Sequence, residues 1–149
     1  SQENSRSPLV TTVFTNGCFD ILHKGHAELL RFCKNHSAIS FSGLSIRPHV
    51  VVGLNSDASI KKLKGDSRPI NSQEDRAFLL QSLKYVDEVI IFDEETPYEL
   101  IKKVEPDYIV KGGDYNKENV VGNDLADVII YNYIDGYSTT NIIKKSHDS

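Results

Sequence analysis

The chain has 149 residues, which suits one compact domain around a single core. Its 39% hydrophobic and 26% charged residues exclude a disordered composition, and no apolar run reaches the ~20 residues that span a membrane. The net charge of −4 argues against a general nucleic-acid-binding surface, although local basic groups could still hold the phosphates of a nucleotide.

Residues 1–8 are polar and irregular and do not start with Met, so a frayed or processed terminus is expected, with residues 9–149 as the single domain. Val10 to Thr15 is β-branched and aromatic and runs into Asn16-Gly17, which predicts a strand ending in a tight turn. From His26 to about Asn35, Ala27, Leu29, Leu30 and Cys33 recur at helical spacing. Ser37 to Pro48 is Ser-rich and reads as an extended loop or short hairpin. His49 to Leu54 is a nearly continuous apolar run, as expected of a strand buried on both faces.

Ser72 can cap a helix whose third residue is Asp75, with Phe78, Leu79, Leu80 and Leu83 as its buried face. Glu88 to Phe92 predicts another strand. Thr96 can cap a helix with Pro97 at its first position and Glu99 three residues after the cap. Tyr108 to Lys111 and Val128 to Tyr133 are the last two strands, and a terminal helix is expected from about Thr139. Alternating strands and helices predict an α/β fold: a Rossmann-like open parallel sheet of about five strands with helices on both faces. In such sheets ligands bind beyond the carboxyl ends of the strands, at the switch point.

Cys18 and Cys33 form no CxxC pair and complete no zinc site; both fall in apolar segments and read as structural thiols of a reducing compartment. A cytoplasmic location is expected.

The chemistry concentrates in TNGCFDILHKGH, Thr15 to His26. The Asn16-Gly17 turn leaves backbone N–H groups open to anions. Gly25 permits close backbone approach beside His23 and His26, and His26 lies at a helix start, where the macrodipole favours a negative ligand. Two histidines three apart could also be ordinary core or surface residues, or half of a zinc site. The surrounding strand, turn and helix favour phosphate chemistry, in which fixed donors stabilise charge developing on phosphate oxygens.

TNGCFDILHKGH resembles the signature of the HxGH cytidylyltransferase-like nucleotidyltransferases, most closely the bacterial D-β-D-heptose 1-phosphate adenylyltransferases. The resemblance continues through GLNSDASIKKLKGDSRPINSQEDRAFLL (Gly53 to Leu80), VKGGDY (Val110 to Tyr115) and DGYSTTNIIKK (Asp135 to Lys145), covering about Val13 to Lys145. Members of this family are single domains or halves of bifunctional ADP-heptose synthases. The resemblance implies a Rossmann-like sheet, a homodimer, ATP or CTP with Mg²⁺, and release of pyrophosphate.

Residue by residue, the resemblance makes His23 and His26 the pair that holds the triphosphate and stabilises the transition state. Thr15, Asn16, Gly17 and Phe19 form the turn whose backbone meets nucleotide and phosphates. Lys64 reaches the reacting phosphates, where the plain alternative is a solvated lysine beside Lys61 and Lys62. Arg76 matches an arginine that contacts phosphate or substrate, the alternative being an ion pair on a helix surface. Lys111, Gly112, Gly113 and Asp114 approach base and ribose, and Ser138, Thr139 and Thr140 meet the β- and γ-phosphates at a helix start. Asp57 is read as shaping a turn and is not assigned to catalysis. No side chain is assigned to a metal.

Three functions follow. The first is transfer of AMP from ATP to a sugar 1-phosphate, with a heptose 1-phosphate in first place. The second is cytidylyl transfer to glycerol 3-phosphate or a related alcohol phosphate. That branch carries an arginine shortly before its ISTT motif, where this chain has Tyr133. The third is a nucleotide-binding module without turnover. The HxGH, lysine and STT elements are all present, which favours an enzyme. Relative to the family, the connection from Ser37 to Pro48 is long and the stretch from Tyr115 to Val128 is short.

Overall fold

The computed structural model describes residues 11–35, 48–113 and 115–132. Five strands, β1 (Thr12–Gly17), β2 (His49–Asn55), β3 (Glu88–Phe92), β4 (Tyr108–Gly112) and β5 (Asp127–Tyr131), alternate with helices α1 (Lys24–Asn35), α2 (Asp57–Lys64), α3 (Gln73–Gln81) and α4 (Tyr98–Val104). Every strand pair is parallel, and the sheet order is β3-β2-β1-β4-β5. The chain builds outward from β1 to β3 and then returns to place β4 on the other side of β1. That reversal opens a crevice beyond the carboxyl ends of β1 and β4, which is where an open α/β sheet binds its ligand.

The period of two along each strand divides the core. Val13, Val50 and Val110 point to the face covered by Leu29 and Cys33 of α1. Their neighbours Phe14, Val51 and Ile109 point to the opposite face, against Ile101 and Leu100 of α4. A third cluster joins Val52 and Leu54 to Phe19, Leu30 and Leu80, so the turn after β1 is packed into the core. Gly53 is required by this packing. A Cβ there would lie 2.7 Å from Phe14 Cζ, inside the core.

Several expected elements shift. The first strand ends at Gly17 rather than Thr15, and the first helix begins at Lys24, two residues early. The fifth strand runs Asp127–Tyr131, starting one residue before the expected Val128, and Tyr133 lies outside the described residues. Helix α2 is an addition to the expected elements; the seryl side chain of Ser56 caps it by accepting the Ser59 N–H at 3.1 Å. Ser72 caps α3 as expected, accepting the Asp75 N–H at 3.2 Å. The buried face of α3 differs from the expected one. Phe78 and Leu79 are 68% and 43% exposed, while Leu80 is buried and Arg76 takes the inward position one turn before it. Successive helical residues are ~100° apart, so Phe78, Leu79 and Leu80 cannot share one face. At α4, Pro97 rather than Thr96 occupies the cap position, with no side-chain cap bond. The expected loop at Ser37 to Pro48, apart from Pro48, and the terminal helix lie outside the described residues. Among those described, no helix is long and apolar enough to cross a membrane.

The amino edge of the sheet is closed by one buried cation. Lys34, in the last turn of α1, donates to the Pro48 carbonyl at 2.8 Å and to Asp87 Oδ2, which also accepts the Val50 N–H at 2.8 Å. Burial alone would raise the Asp87 carboxyl, but the bonds from Lys34 and Val50 outweigh it and hold it below its ordinary value of 3.8. A depressed folded pKa stabilises the protein above the unfolded value and is lost as pH falls through the folded one. Asp87→Ala strands a lysine that is only 6% exposed, and is expected to lower the unfolding free energy by about 2–3 kcal/mol at neutral pH. Urea unfolding checks this, and the difference between variant and wild type should begin to shrink as pH falls below the ordinary carboxylate value of about 4 and be lost as it passes through the depressed folded one.

Candidate active site

The turn from β1 into α1 carries the two histidines. Phe19 has φ 47°, in the left-handed region that bulky residues rarely adopt, and such strain gathers at functional sites. Its ring is 3% exposed and meets His26 edge-on, with centroids 5.0 Å apart. His26 in turn stacks on His23 at 3.7 Å with an interplanar angle of 23°. Backbone groups fix both imidazoles: Gly25 N–H donates to His23 Nδ1 at 3.0 Å, and His23 N–H donates to His26 Nδ1 at 3.3 Å. The pair is thus set at the positive end of α1, over the carboxyl end of β1, where an anion is favoured.

Asp20 was not singled out from the sequence, yet it fixes this turn. It is 1% exposed, and its carboxylate accepts the Ile70 N–H at 2.8 Å, the Asn71 N–H at 2.8 Å and Arg68 Nε at 3.2 Å. The Asn71 side chain donates back to the Asp20 carbonyl at 2.6 Å. Burial would raise the Asp20 carboxyl, but the Asn71 and Ile70 N–H bonds, with Arg68, hold it below its ordinary value. Asp20 therefore ties the segment that follows α2 to the histidine turn. Its one visible signal was an acid set among apolar neighbours in CFDIL.

Arg76 lies beneath the site rather than in it. Its side chain is 0% exposed, and its donors go to protein acceptors. Nη1 reaches the carbonyls of Cys18 at 3.0 Å and Asn55 at 2.7 Å, Nε reaches the Asn71 carbonyl at 2.9 Å, and Nη2 reaches Asp57 Oδ1 at 2.6 Å. The expected contact with phosphate or substrate and the alternative of a surface ion pair both give way to a buried tie. It gathers the carboxyl ends of β1 and β2, the start of α2 and the turn before α3. Asp57, expected to shape a turn, anchors this guanidinium, and its N–H donates to Gln73 Oε1 at 2.9 Å.

Of the other expected residues, Thr15, Asn16, Gly17, Lys111, Gly112 and Gly113 meet at the ends of β1 and β4. Thr15 Oγ1 donates to the Val110 carbonyl at 2.8 Å, which brings the Thr15-Asn16-Gly17 end of β1 beside the Lys111-Gly112 end of β4. Gly113, with φ 104°, donates its N–H to the Tyr131 carbonyl at 3.1 Å, a backbone conformation suited to glycine. The Lys111 ammonium sits 5.3 Å from the Tyr115 ring centroid, and burial pulls it below the ordinary lysine value, with Cys18 a smaller opposing influence. Lys64 is the last residue of α2 and is half-buried; Gly65, φ 100°, breaks the helix directly after it. Asp114, Ser138, Thr139 and Thr140 lie outside the described residues. Both cysteines are buried, and burial pushes the Cys33 thiol up to about 12.

The buried guanidinium makes a specific demand. Arg76→Met removes four hydrogen bonds and leaves two strand-end carbonyls and Asp57 without their cation. It is expected to lower the unfolding free energy by about 3–5 kcal/mol in urea titrations. A variant of unchanged stability with weakened nucleotide binding would instead place Arg76 at the ligand.

Comparison with known proteins places the chain in a family. The cytidylyltransferase-like family model matches residues 14–147. The bifunctional protein HldE of Aliarcobacter butzleri is 51% identical over 138 residues, covering 92% of this chain and 27% of its own length. HldE of a Nitratiruptor species is 54% identical over 134 residues, covering 89% of this chain and 27% of its own length. The chain thus spans about a quarter of the curated relatives it matches. A lipopolysaccharide core biosynthesis protein from Thermoplasma volcanium has a similar structure, with TM-score 0.61 and 26% identity, covering 83% of this chain and 96% of that one. The chain belongs to the cytidylyltransferase-like family of nucleotidyltransferases.

Proposed function

We propose that this chain transfers AMP from ATP to a sugar 1-phosphate, a heptose 1-phosphate in first place, forming an ADP-sugar and releasing pyrophosphate. The observation that carries the reading is the stacked His23–His26 pair at the start of α1, beside the ends of β1 and β4. A sugar-phosphate oxygen attacks the α-phosphorus, a new P–O bond forms, and the bond to the bridging oxygen of the β-phosphate breaks. Negative charge spreads over the equatorial oxygens during this exchange, and fixed imidazole donors at a helix N-terminus stabilise it without a covalent intermediate. Lys64 adds a cation to the same phosphates, and Ser138, Thr139 and Thr140 hold the leaving pyrophosphate. The end of β4, with Lys111, Gly112 and Gly113, and Asp114 after it, receives base and ribose.

Mg²⁺ accompanies the triphosphate in this reading and neutralises part of its charge. In this reading the ion would be carried on the nucleotide's own phosphates, and no side chain is assigned to it. The choice of a heptose acceptor is supported by the resemblance of KGGDY and DGYSTTNII to that branch and by relatives that carry the name HldE. The structurally similar Thermoplasma volcanium protein is one of lipopolysaccharide core biosynthesis, which supports the same direction.

His23→Ala and His26→Ala are each expected to lower turnover by about 10²–10³, the usual loss for one transition-state donor. Pyrophosphate release under saturating substrates reads this directly, and near-normal turnover in either variant would overturn the assignment. ATP is expected to be the better donor. Gly112-Gly113 leaves room at a strand end for the larger base, and polar groups left unpaired by the wrong base discriminate strongly. Kinetics with ATP and CTP across a panel of sugar and polyol phosphates decide the matter. A higher kcat/KM for CTP with an alcohol phosphate would establish cytidylyl transfer instead, and nucleotide binding without pyrophosphate release would establish a binding module.

A further inference from the structure

The first turn of α1 is closed by its own histidines. His23 sits at the capping position: its carbonyl accepts the Ala27 N–H at 3.2 Å and its Nδ1 accepts the Gly25 N–H at 3.0 Å. His26, three residues later, returns the bond, its Nδ1 accepting the His23 N–H at 3.3 Å. This is the reciprocal pattern of a capping box, with imidazoles where Ser or Thr and Glu or Gln usually stand. The spacing of three therefore has a local structural cause as well as a chemical one. An imidazole nitrogen accepts a hydrogen bond only while it carries no proton.

We propose that His23 and His26 serve the site as neutral Nε2–H donors, locked in that tautomer because both Nδ1 atoms are committed to the start of α1. What the donors meet rests on the function proposed above; the tautomer itself is a property of the ligand-free protein. Protonating either ring would set an Nδ1–H against a backbone N–H and open the cap. Two charged rings stacked at 3.7 Å would repel, and the positive end of the helix opposes a cation there. Both Nε2 atoms are shielded from bulk water, which also penalises charge.

The charged groups of the neighbouring elements point the same way. Asp20 in the β1–α1 turn is occupied by Arg68 and by the N–H groups of Ile70 and Asn71, and Glu28 pairs with Lys24 along α1 at 3.9 Å. The rings then move no proton during the reaction. They offer hydrogen bonds that strengthen as charge grows on a phosphate oxygen, in a sheltered place where such bonds count for more. The cap is intact while the rings are neutral, so helix start and site weaken together as pH falls below the ordinary imidazole range.

The test is long-range ¹H–¹⁵N correlation on the full chain with ¹⁵N-labelled histidine, without ligand, from about pH 8 to 5. At neutral pH both rings should show an unprotonated Nδ1 and a protonated Nε2, with the exposed His49 as the reference in the same spectra. An imidazolium, or a proton on Nδ1, in either ring at neutral pH would overturn the proposal. Variants then separate cap from donor. His23→Asn and His26→Gln keep an acceptor for the backbone, and each should melt within ~1 °C of the wild type, while each alanine variant melts about 3 °C lower. Equal melting of amide and alanine variants would overturn the cap. The amide variants should lose turnover at least 10²-fold. Normal turnover with the expected tautomers would overturn the donor role, and the functional reading with it, while leaving the cap in place.

Discussion

A parallel sheet leaves a problem at its carboxyl rim, where strands end, loops begin, and no regular hydrogen-bond ladder continues. In this protein the guanidinium of Arg76 solves it. One planar cation with donors in a fixed fork reaches two strand-end carbonyls, a turn carbonyl and a carboxylate at once, from below the rim. The carbonyls of Cys18 and Asn55 both accept from the same Nη1. Their shared donor brings the ends of β1 and β2 to one point and draws the start of α2 to the same point through Asp57. A lysine could not span these acceptors, because its single ammonium lacks the fork.

Asp20 extends the same logic by one layer. Its carboxylate takes two backbone N–H groups from residues 70 and 71 and the Nε of Arg68, so the segment between α2 and α3 is pinned to the histidine turn. Together Arg76 and Asp20 form a connected polar network in which each member is bonded to the next. Such a network specifies one arrangement, because a partly made version leaves buried charge unsatisfied. The imidazoles rest on this base. Phe19, held at a positive φ and packed into the core, braces His26, and His26 braces His23. A donor aimed at developing charge is useful only if it is already in place, and the edge-on Phe19 with the stacked histidine pair fixes the imidazoles in this way.

The amino edge of the sheet is organised by a different pair for a different purpose. Lys34 and Asp87 join the end of α1 to the starts of β2 and β3, far along the chain from one another and at the opposite end of the strands from the histidines. The buried Lys34–Asp87 pair and the histidine turn therefore lie at opposite ends of the strands, the turn at the carboxyl rim where open α/β sheets bind their ligands.

Apart from α2, the sequence by itself determined the order and type of the described elements, because hydrophobic period and capping residues act within a few residues: HVVVGL made a buried strand, and Ser72 capped α3. It also pointed to the rim where the chemistry gathers and to the resemblance carried by TNGCFDILHKGH. What it could not determine were matters of long-range pairing. Phe78 and Leu79 looked like core and Arg76 like a substrate contact or a surface ion-pair partner, because local pattern counts apolar residues and cannot see which partner waits across the fold. The acceptors of Arg76 come from positions up to 58 residues away, and those of Lys34 from up to 53. Asp57 took its role from Arg76, and Asp20 took its role from Arg68, Ile70 and Asn71, far along the chain. A buried charge can be placed only where its partners converge, and convergence is decided by the folded sheet rather than by the neighbours in the chain.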